Sequence, residues 1–346
     1  RGGRGALAGW VLVAGLALVL AACASEPLPQ SALDPAGPVA RQQDRLWDMV
    51  VPIAAAVFVL VEGGILLLLW RYRGRGDDRP PKQVAGNTRL EIVWTVIPAL
   101  LLTGVAVPTV ATIFALSGRP AGDPLEVKVV GKQYWWEFEY LGPEGRGVVT
   151  ANELHIPTER PVFIRLDGTG TDADVIHSFW VPRLAGKQDY IPGHVRTMHL
   201  EADDPGVYPG QCAEFCGLSH ANMRLLVVAH EPAEFRRWLS DQARPARSNQ
   251  TGLAAQGREV VTTAGCLGCH TIAGHPDNAD VRVGPDLTHF ASRQRFAGAI
   301  FDNDDPAQLA AWLRDPQAVK PGAQMPNLQL SAHQIEALVA YLQSLE

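Results

Sequence analysis

Cys212-Ala213-Glu214-Phe215-Cys216-Gly217-Leu218-Ser219-His220-Ala221-Asn222-Met223 puts two thiols, an imidazole and a thioether into one short segment. His177 lies 35 residues upstream of Cys212, in Val175-Ile176-His177-Ser178-Phe179-Trp180. One Cys, two His and a Met on a β-barrel would make a mononuclear blue-copper site. A second thiolate four residues on changes the count, because two bridging cysteinates can hold two copper ions. Each ion then takes one His, with Met223 and a backbone carbonyl as weak outer ligands. Shared thiolates let one electron spread over both metals, so geometry changes little on reduction. Two other readings use the same residues: a Cys212–Cys216 disulfide in an oxidising compartment, or a structural Cys2His2 zinc. Zinc has no use for Met223, and a disulfide accounts for neither histidine.

The flanking chain supplies the barrel that this loop needs. From 124 to 232 the pattern has period two, as in Leu125-Glu126-Val127-Lys128-Val129, Val162 to Leu166, Thr197 to Leu200 and Leu225 to Ala229. Turn signals at Pro143 with Gly145, Gly168 with Gly170, Pro192-Gly193 and Pro205-Gly206 separate these runs, which predicts an antiparallel sandwich or barrel. Histidines 155, 194, 199 and 230 are read as ordinary strand or surface residues.

Asp241 to Gly252 has a polar linker composition, and an all-α domain is expected over 253–346. Within it, Cys266-Leu267-Gly268-Cys269-His270 is the attachment pattern of a c-type haem, with two thiols for thioether bonds and His270 as axial ligand. At this composition the pattern is expected by chance about 0.002 times. A redox disulfide with a bystander His would need a thioredoxin-like βαβ context, and none surrounds it. Met325, the only Met after Met223, is the candidate second axial ligand; His275, His289 and His333 are the alternatives. Ser331 and Gln334 predict a capping box for a last helix with an apolar stripe of Ile335, Leu338, Val339 and Leu342.

Upstream, Arg1 and Arg4 precede an apolar run ending in Leu20-Ala21-Ala22-Cys23, an export signal over 1–23. Its ending resembles a lipoprotein cleavage box, with Cys23 the residue to be lipidated. Val50 to Trp70 carries Glu62 as its only charge, and Ile92 to Leu116 carries none. At 1.5 Å rise each can cross about 30 Å of hydrocarbon, so a two-helix hairpin is expected over 46–118, with helices at about 48–71 and 91–116. The connecting loop holds Arg71, Arg73, Arg75, Arg79, Lys82 and Arg89 against Asp77 and Asp78, which keeps it in the cytoplasm and puts everything after Leu116 outside. Glu62 at mid-span is costly unless it meets a partner helix. The 346 residues suggest two to three domains; 47% are hydrophobic and 19% charged, against roughly 25% charged in soluble proteins. A net charge of -6 offers no basic face for nucleic acid.

From about Leu46 to Glu346 the chain resembles subunit II of haem-copper cytochrome c oxidases of the copper A type, fused to a cytochrome c domain as in caa-type oxidases. The motif Cys-x-Glu-x-Cys-Gly-x-x-His-x-x-Met is matched at every position, and hairpin, β-domain and haem domain follow in that family's order. The last domain is similar to class I cytochromes c, with Gly284-Pro285-Asp286-Leu287 and Met325-Pro326 in their usual places. The resemblance implies a cupredoxin barrel with binuclear copper A on His177, Cys212, Cys216, His220 and Met223, Glu214 adding its main-chain carbonyl and, by its side chain, a magnesium site shared with subunit I. It also implies that Glu91 stands at the mouth of a proton channel in subunit I. Gln133-Tyr134-Trp135-Trp136 departs from the family pattern: Tyr134 stands where a Trp commonly receives electrons, and Trp135 is the second candidate for that role.

The implied function is electron input to a proton-pumping terminal oxidase of the bacterial inner membrane, with both soluble domains on the periplasmic side. Implied partners are subunit I and subunit III, with cytochrome c or a quinol–cytochrome c reductase complex as donor. A copper A nitric oxide reductase subunit and a copper-binding assembly protein are the alternatives. A quinol oxidase subunit would have lost the copper ligands.

Overall fold

The computed structural model describes residues 28–73, 83, 85–145, 147–170, 175–247, 251–278 and 281–346; the export segment and Cys23 lie outside the described residues. Helix α1 (Pro38–Tyr72) starts with Pro at its first turn, where the missing N–H costs nothing. Helix α2 (Thr88–Ser117) is capped by the Asn87 side chain, which accepts from Arg89 N at 3.1 Å and Leu90 N at 3.3 Å. Both are long and apolar enough to cross a membrane, and they run alongside each other. Pro52, Pro98 and Pro108 all sit inside continuous helix.

α1 begins well before the apolar span because its first turns are used differently. Val39 and Ala40 are buried against the β-domain, Ala36 N donates to Arg183 O at 2.7 Å, Asp203 N donates to Ala36 O at 3.0 Å, and Arg41 pairs with the Asp203 carboxylate. The hairpin is thus hydrogen-bonded to the domain it carries. Along the spans the apolar side chains, Glu62 and Glu91 are exposed.

The β-domain is two five-stranded sheets face to face. One has the order β3 (Val149–Ala151), β2 (Trp135–Tyr140), β1 (Leu125–Lys132), β5 (Val162–Asp167), β8 (Val195–Leu200). The other has β4 (Glu153–Pro157), β10 (Arg224–His230), β9 (Gly206–Cys212), β6 (His177–Trp180), β7 (Lys187–Tyr190). The expected strands are present, but the sheets are mixed: β1 pairs with β5, and β4 with β10, in parallel. Period-two patterning reports which face is buried and not the direction of the neighbour, which is set by the crossovers.

Inward residues such as Val127, Val129, Phe138, Ile164, Phe179 and Leu225 form the core. Helix α3 (Pro232–Gln242) follows β10 and adds Phe235 and Leu239 to that core. Its Trp238 stacks on the buried His155 ring at 4.1 Å, and His155 Nδ1 lies 2.8 Å from His230 Nε2.

In the haem domain, α4 (Gly252–Thr263) packs across α7 (Ala332–Leu342), with α5 (Pro306–Arg314), α6 (Pro316–Val319) and a ribbon of β11 (Arg295–Phe296) and β12 (Phe301–Asp302) between them in sequence. The capping box forms as expected: Gln334 N donates to Ser331 Oγ and Ser331 N to Gln334 Oε1. Asp305 caps α5 by accepting from Ala307 N, and Asp302 pairs with Arg295.

Candidate metal centre and haem cavity

Strand pairing builds the first site. β9 places Phe179 opposite Cys212, and Cys212 N donates to Met223 O at 2.8 Å, so the loop leaves the sheet at Cys212 and returns at Met223. A short 3-10 turn at His220–Asn222 brings His220 back over Cys216. Cys212 Sγ lies 3.9 Å from Cys216 Sγ, and both are free thiols. Each sulfur has its own imidazole: His177 Nδ1 is 3.8 Å from Cys212 Sγ, and His220 Nδ1 is 3.6 Å from Cys216 Sγ. Met223 Sδ lies 3.9 Å from Cys216 Sγ, and Glu214 O lies 3.2 Å from Cys212 Sγ. The Glu214 side chain itself is exposed.

His177, Cys212, Cys216 and Met223 are buried, and the Trp136 ring meets His177 edge-on at 5.8 Å, restricting the imidazole. Cys212 is the thiol that ionises first: the hydrogen bond with Cys216 lowers its pKa, with His177 and main-chain groups of Glu214 and Ser178 helping, while Cys216 is raised by the same partnership. A thiolate pair with imidazole and thioether neighbours is a soft donor set that suits copper. A tetrahedral zinc would leave the thioether and carbonyl without a purpose.

The second site is a cavity in the haem domain lined by Cys266, Cys269, His270, Met325 and apolar walls including Leu287, Phe290 and Leu313. His270 Nδ1 donates to Pro285 O at 2.7 Å, which fixes the tautomer and leaves Nε2 as the free lone pair. Burial lowers the His270 pKa, which keeps that nitrogen unprotonated. The other candidate ligands are engaged elsewhere: His289 with Arg244 O, His275 with Arg258 O and Asp277 N, His333 with Gln256. Met325 and His270 both line the cavity, so the donor set fits a covalently held haem.

The β-domain forms one wall of that cavity with Gln133, Tyr134 and Trp135. Gln133 Nε2 donates to Cys216 O at 2.6 Å. Gly217 has φ +127, and a Cβ there would lie 2.4 Å from the Tyr134 hydroxyl, so only glycine lets the ring this close to the metal loop. Sequence reading missed Gln133, Glu153 and Lys320, each of which acts across a long sequence separation that no local motif marks, and Arg293, a half-buried residue of the cavity wall whose guanidinium donates to Asp286 O and whose pKa is lowered by desolvation. Glu91 sits exposed in the first turn of α2.

Two centres on separate domains, hung from one membrane hairpin and set for one-electron carriers, define an electron-transfer subunit. Family models match accordingly: cytochrome c oxidase subunit II transmembrane domain over 26–112, its periplasmic domain over 144–230, and cytochrome c over 254–346. Cytochrome c oxidase subunit 2 of Alkalihalophilus pseudofirmus is 40% identical, with 96% of this chain and 95% of the relative covered; that of Bacillus sp. PS3 is 37% identical over 96% and 95%. A crystal structure of the periplasmic domain of cytochrome oxidase subunit II from Bradyrhizobium japonicum is 31% identical over 35% of this chain and 94% of that one, with a TM-score of 0.32. The chain belongs to the cytochrome c oxidase subunit II family, in the form that carries a C-terminal cytochrome c domain.

Proposed function

We propose that this chain is the electron-input subunit of a proton-pumping terminal oxidase, taking electrons at haem c and delivering them by way of copper A to subunit I, where dioxygen becomes water. The observation that carries this reading is the matching of one imidazole to each of two unlinked thiols, at 3.8 and 3.6 Å. His177, Cys212, Cys216, His220, Met223 and the Glu214 carbonyl would hold two coppers; Cys266 and Cys269 would hold the haem, with His270 and Met325 on its iron. Bound there, the two groups supply one-electron redox chemistry.

The chain's own residues position and insulate. Trp136 and Phe179, edge-on to each other at 5.5 Å, wall the thiolate pair from water, and the Pro285 carbonyl orients His270. Arg293, half-buried on the cavity wall and anchored by the Asp286 carbonyl, would offer a cation to a haem carboxylate. Tyr134, 6% exposed, occupies the space between the cavity and Gly217, and we assign it the electron-input position, with Trp135 beside it. The exposed apolar hairpin would pack on subunit I, and subunit III would complete the assembly; Glu91 would stand at the proton channel and the Glu214 carboxylate at a shared magnesium. The basic sequence between the two spans supports an orientation in which that loop is cytoplasmic and both soluble domains would lie on the periplasmic side of a bacterial inner membrane. Cytochrome c, or a quinol–cytochrome c reductase complex, would reduce the haem domain.

The test is a metal count with optical and electron-paramagnetic spectra of the full chain supplied with copper and haem. Two coppers in a delocalised mixed-valence signal plus one covalent haem are expected. One copper with a blue-site spectrum, or zinc, overturns the reading.

A further inference from the structure

Side chains cross the boundary between the β-domain and the haem domain in both directions. From β4, the fully buried Glu153 carboxylate accepts main-chain N–H groups of the haem domain, Gln294 N at 2.7 Å and Arg295 N at 2.8 Å. Its second oxygen lies 3.5 Å from His155 Nε2. From the haem domain, Lys320, 2% exposed, donates to the Tyr134 carbonyl at 2.6 Å and to its own domain's Ala297 carbonyl at 2.8 Å. A carboxylate or amine removed from water is tolerated only when hydrogen-bonded, and both of these find partners in the main chain of the opposite domain. Main-chain partners cannot rotate away, so a shift of the boundary by one residue would strip Glu153 of both amide donors and the Tyr134 carbonyl of the Lys320 ammonium, leaving Lys320 only its own domain's Ala297 carbonyl.

The crossing contacts converge on the metal loop. Arg224 N donates to Gly298 O at 3.0 Å, and Ser219 Oγ donates to Pro321 O at 2.6 Å, one residue beyond Met223 and one before His220. Gly298 has φ +80, and a Cβ there would meet the Lys320 ammonium first and then lie 2.6 Å from Asn222 O and 2.9 Å from Tyr134 O, so only glycine leaves room for the Lys320 side chain where the two backbones approach. Burial pushes Lys320 down to about 7, a sign of how completely the contact excludes water.

We propose that Glu153 and Lys320 are positioning residues for transfer between the two centres: they lock the haem domain in one register over Tyr134 and the Cys212–Met223 loop, so that it works as a fixed donor and not as a head swinging on its linker. This rests on the reading of the two centres given above.

The test uses the assembled oxidase and two readouts: hydrogen exchange at the Gln294 and Arg295 amides, and the haem-to-copper transfer rate after photoinjection of an electron, measured against solvent viscosity. The wild type is expected to protect both amides and to transfer at a viscosity-independent rate. Glu153→Ala should release the two amides, and Glu153→Ala and Lys320→Met should each slow transfer about tenfold or more and make it viscosity-dependent, with haem attachment and the copper signal retained. Glu153→Gln, which keeps an acceptor oxygen, should recover most of the loss. Unchanged exchange and rate in Glu153→Ala and Lys320→Met overturn the proposal, and so does a viscosity-dependent wild-type rate, which requires no variant to fold. Absence of any haem-to-copper transfer in the wild type would instead overturn the electron-input reading, and amide protection, read without an electron, tells the two failures apart.

Discussion

The Cys212–Met223 segment gathers its donors on a strand-anchored loop and its 3-10 turn, with two sulfurs 3.9 Å apart and an imidazole beside each, whereas the haem domain spreads its donors around an apolar cavity and leaves Cys269 exposed. The β-scaffold fixes a ligand set in advance, so binding there costs little reorganisation. The helical domain presents an apolar cavity for a group that, on the proposed reading, Cys266 and Cys269 would grip covalently. One site therefore depends on every ligand being in place, and the other tolerates the loss of a ligand because the attachment does not depend on it.

The sharpest way to break this contrast is Cys216→Ser. It should abolish the two-copper signal, cut haem-to-copper transfer at least about 100-fold and leave covalent haem untouched; a surviving mixed-valence spectrum would show that the thiolate is not a bridge. Met325→Ala, the parallel deletion in the other centre, should keep the haem attached while lowering its potential by about 0.2 V, since thioether ligation favours ferrous iron. A redox titration that shows no shift would assign the distal ligand elsewhere. Gly217→Ala should cost about 1–3 kcal/mol from the backbone conformation and the collision with Tyr134, and should perturb the copper spectrum. Adding Tyr134→Phe should relieve part of it; no relief would place the strain outside that contact.

The smallest effect concerns pH. Burial, with His155 beside it, holds His230 down to about 4. A histidine in the unfolded chain takes its proton near 6.5, so between 6.5 and 4 the unfolded chain binds a proton that the native one refuses, and stability falls as pH drops through that window. Discounted for partial exposure, the loss is on the order of 1 kcal/mol. Denaturation followed by tryptophan fluorescence should show it in the β-domain, and His230→Gln should flatten it; a slope that persists would point to another group.

The metal loop, the haem motif, the spans and the strands at Leu125, Val162 and Leu225 were legible because each is written locally, as ligand spacing or as apolar period. The parallel partners of β1 and β4 were not, since a strand's alternation is the same whichever way its neighbour runs. Tyr134 stood out in the sequence only as a departure from the family pattern, and its place between the two centres emerges only once Lys320, 186 residues away, is seen to bind its carbonyl. Glu153 was silent for the same reason: its partners lie 141 and 142 residues on and are main-chain groups, which leave no trace in residue type.

Helix α3 ends at Gln242 and α4 starts at Gly252, so nine residues tether the haem domain to the β-domain. A tether that short gives the domain an effective concentration on the order of millimolar at the surface it covers. A docking constant far weaker than any free complex would need is then enough to keep that surface filled. The same arithmetic works as exclusion: at equal affinity for that surface, a soluble donor at micromolar concentration would be outcompeted about a thousandfold by the tethered domain. On the proposed reading, external donors would meet the chain at its haem domain, and the face over Tyr134 would face a single, permanent neighbour.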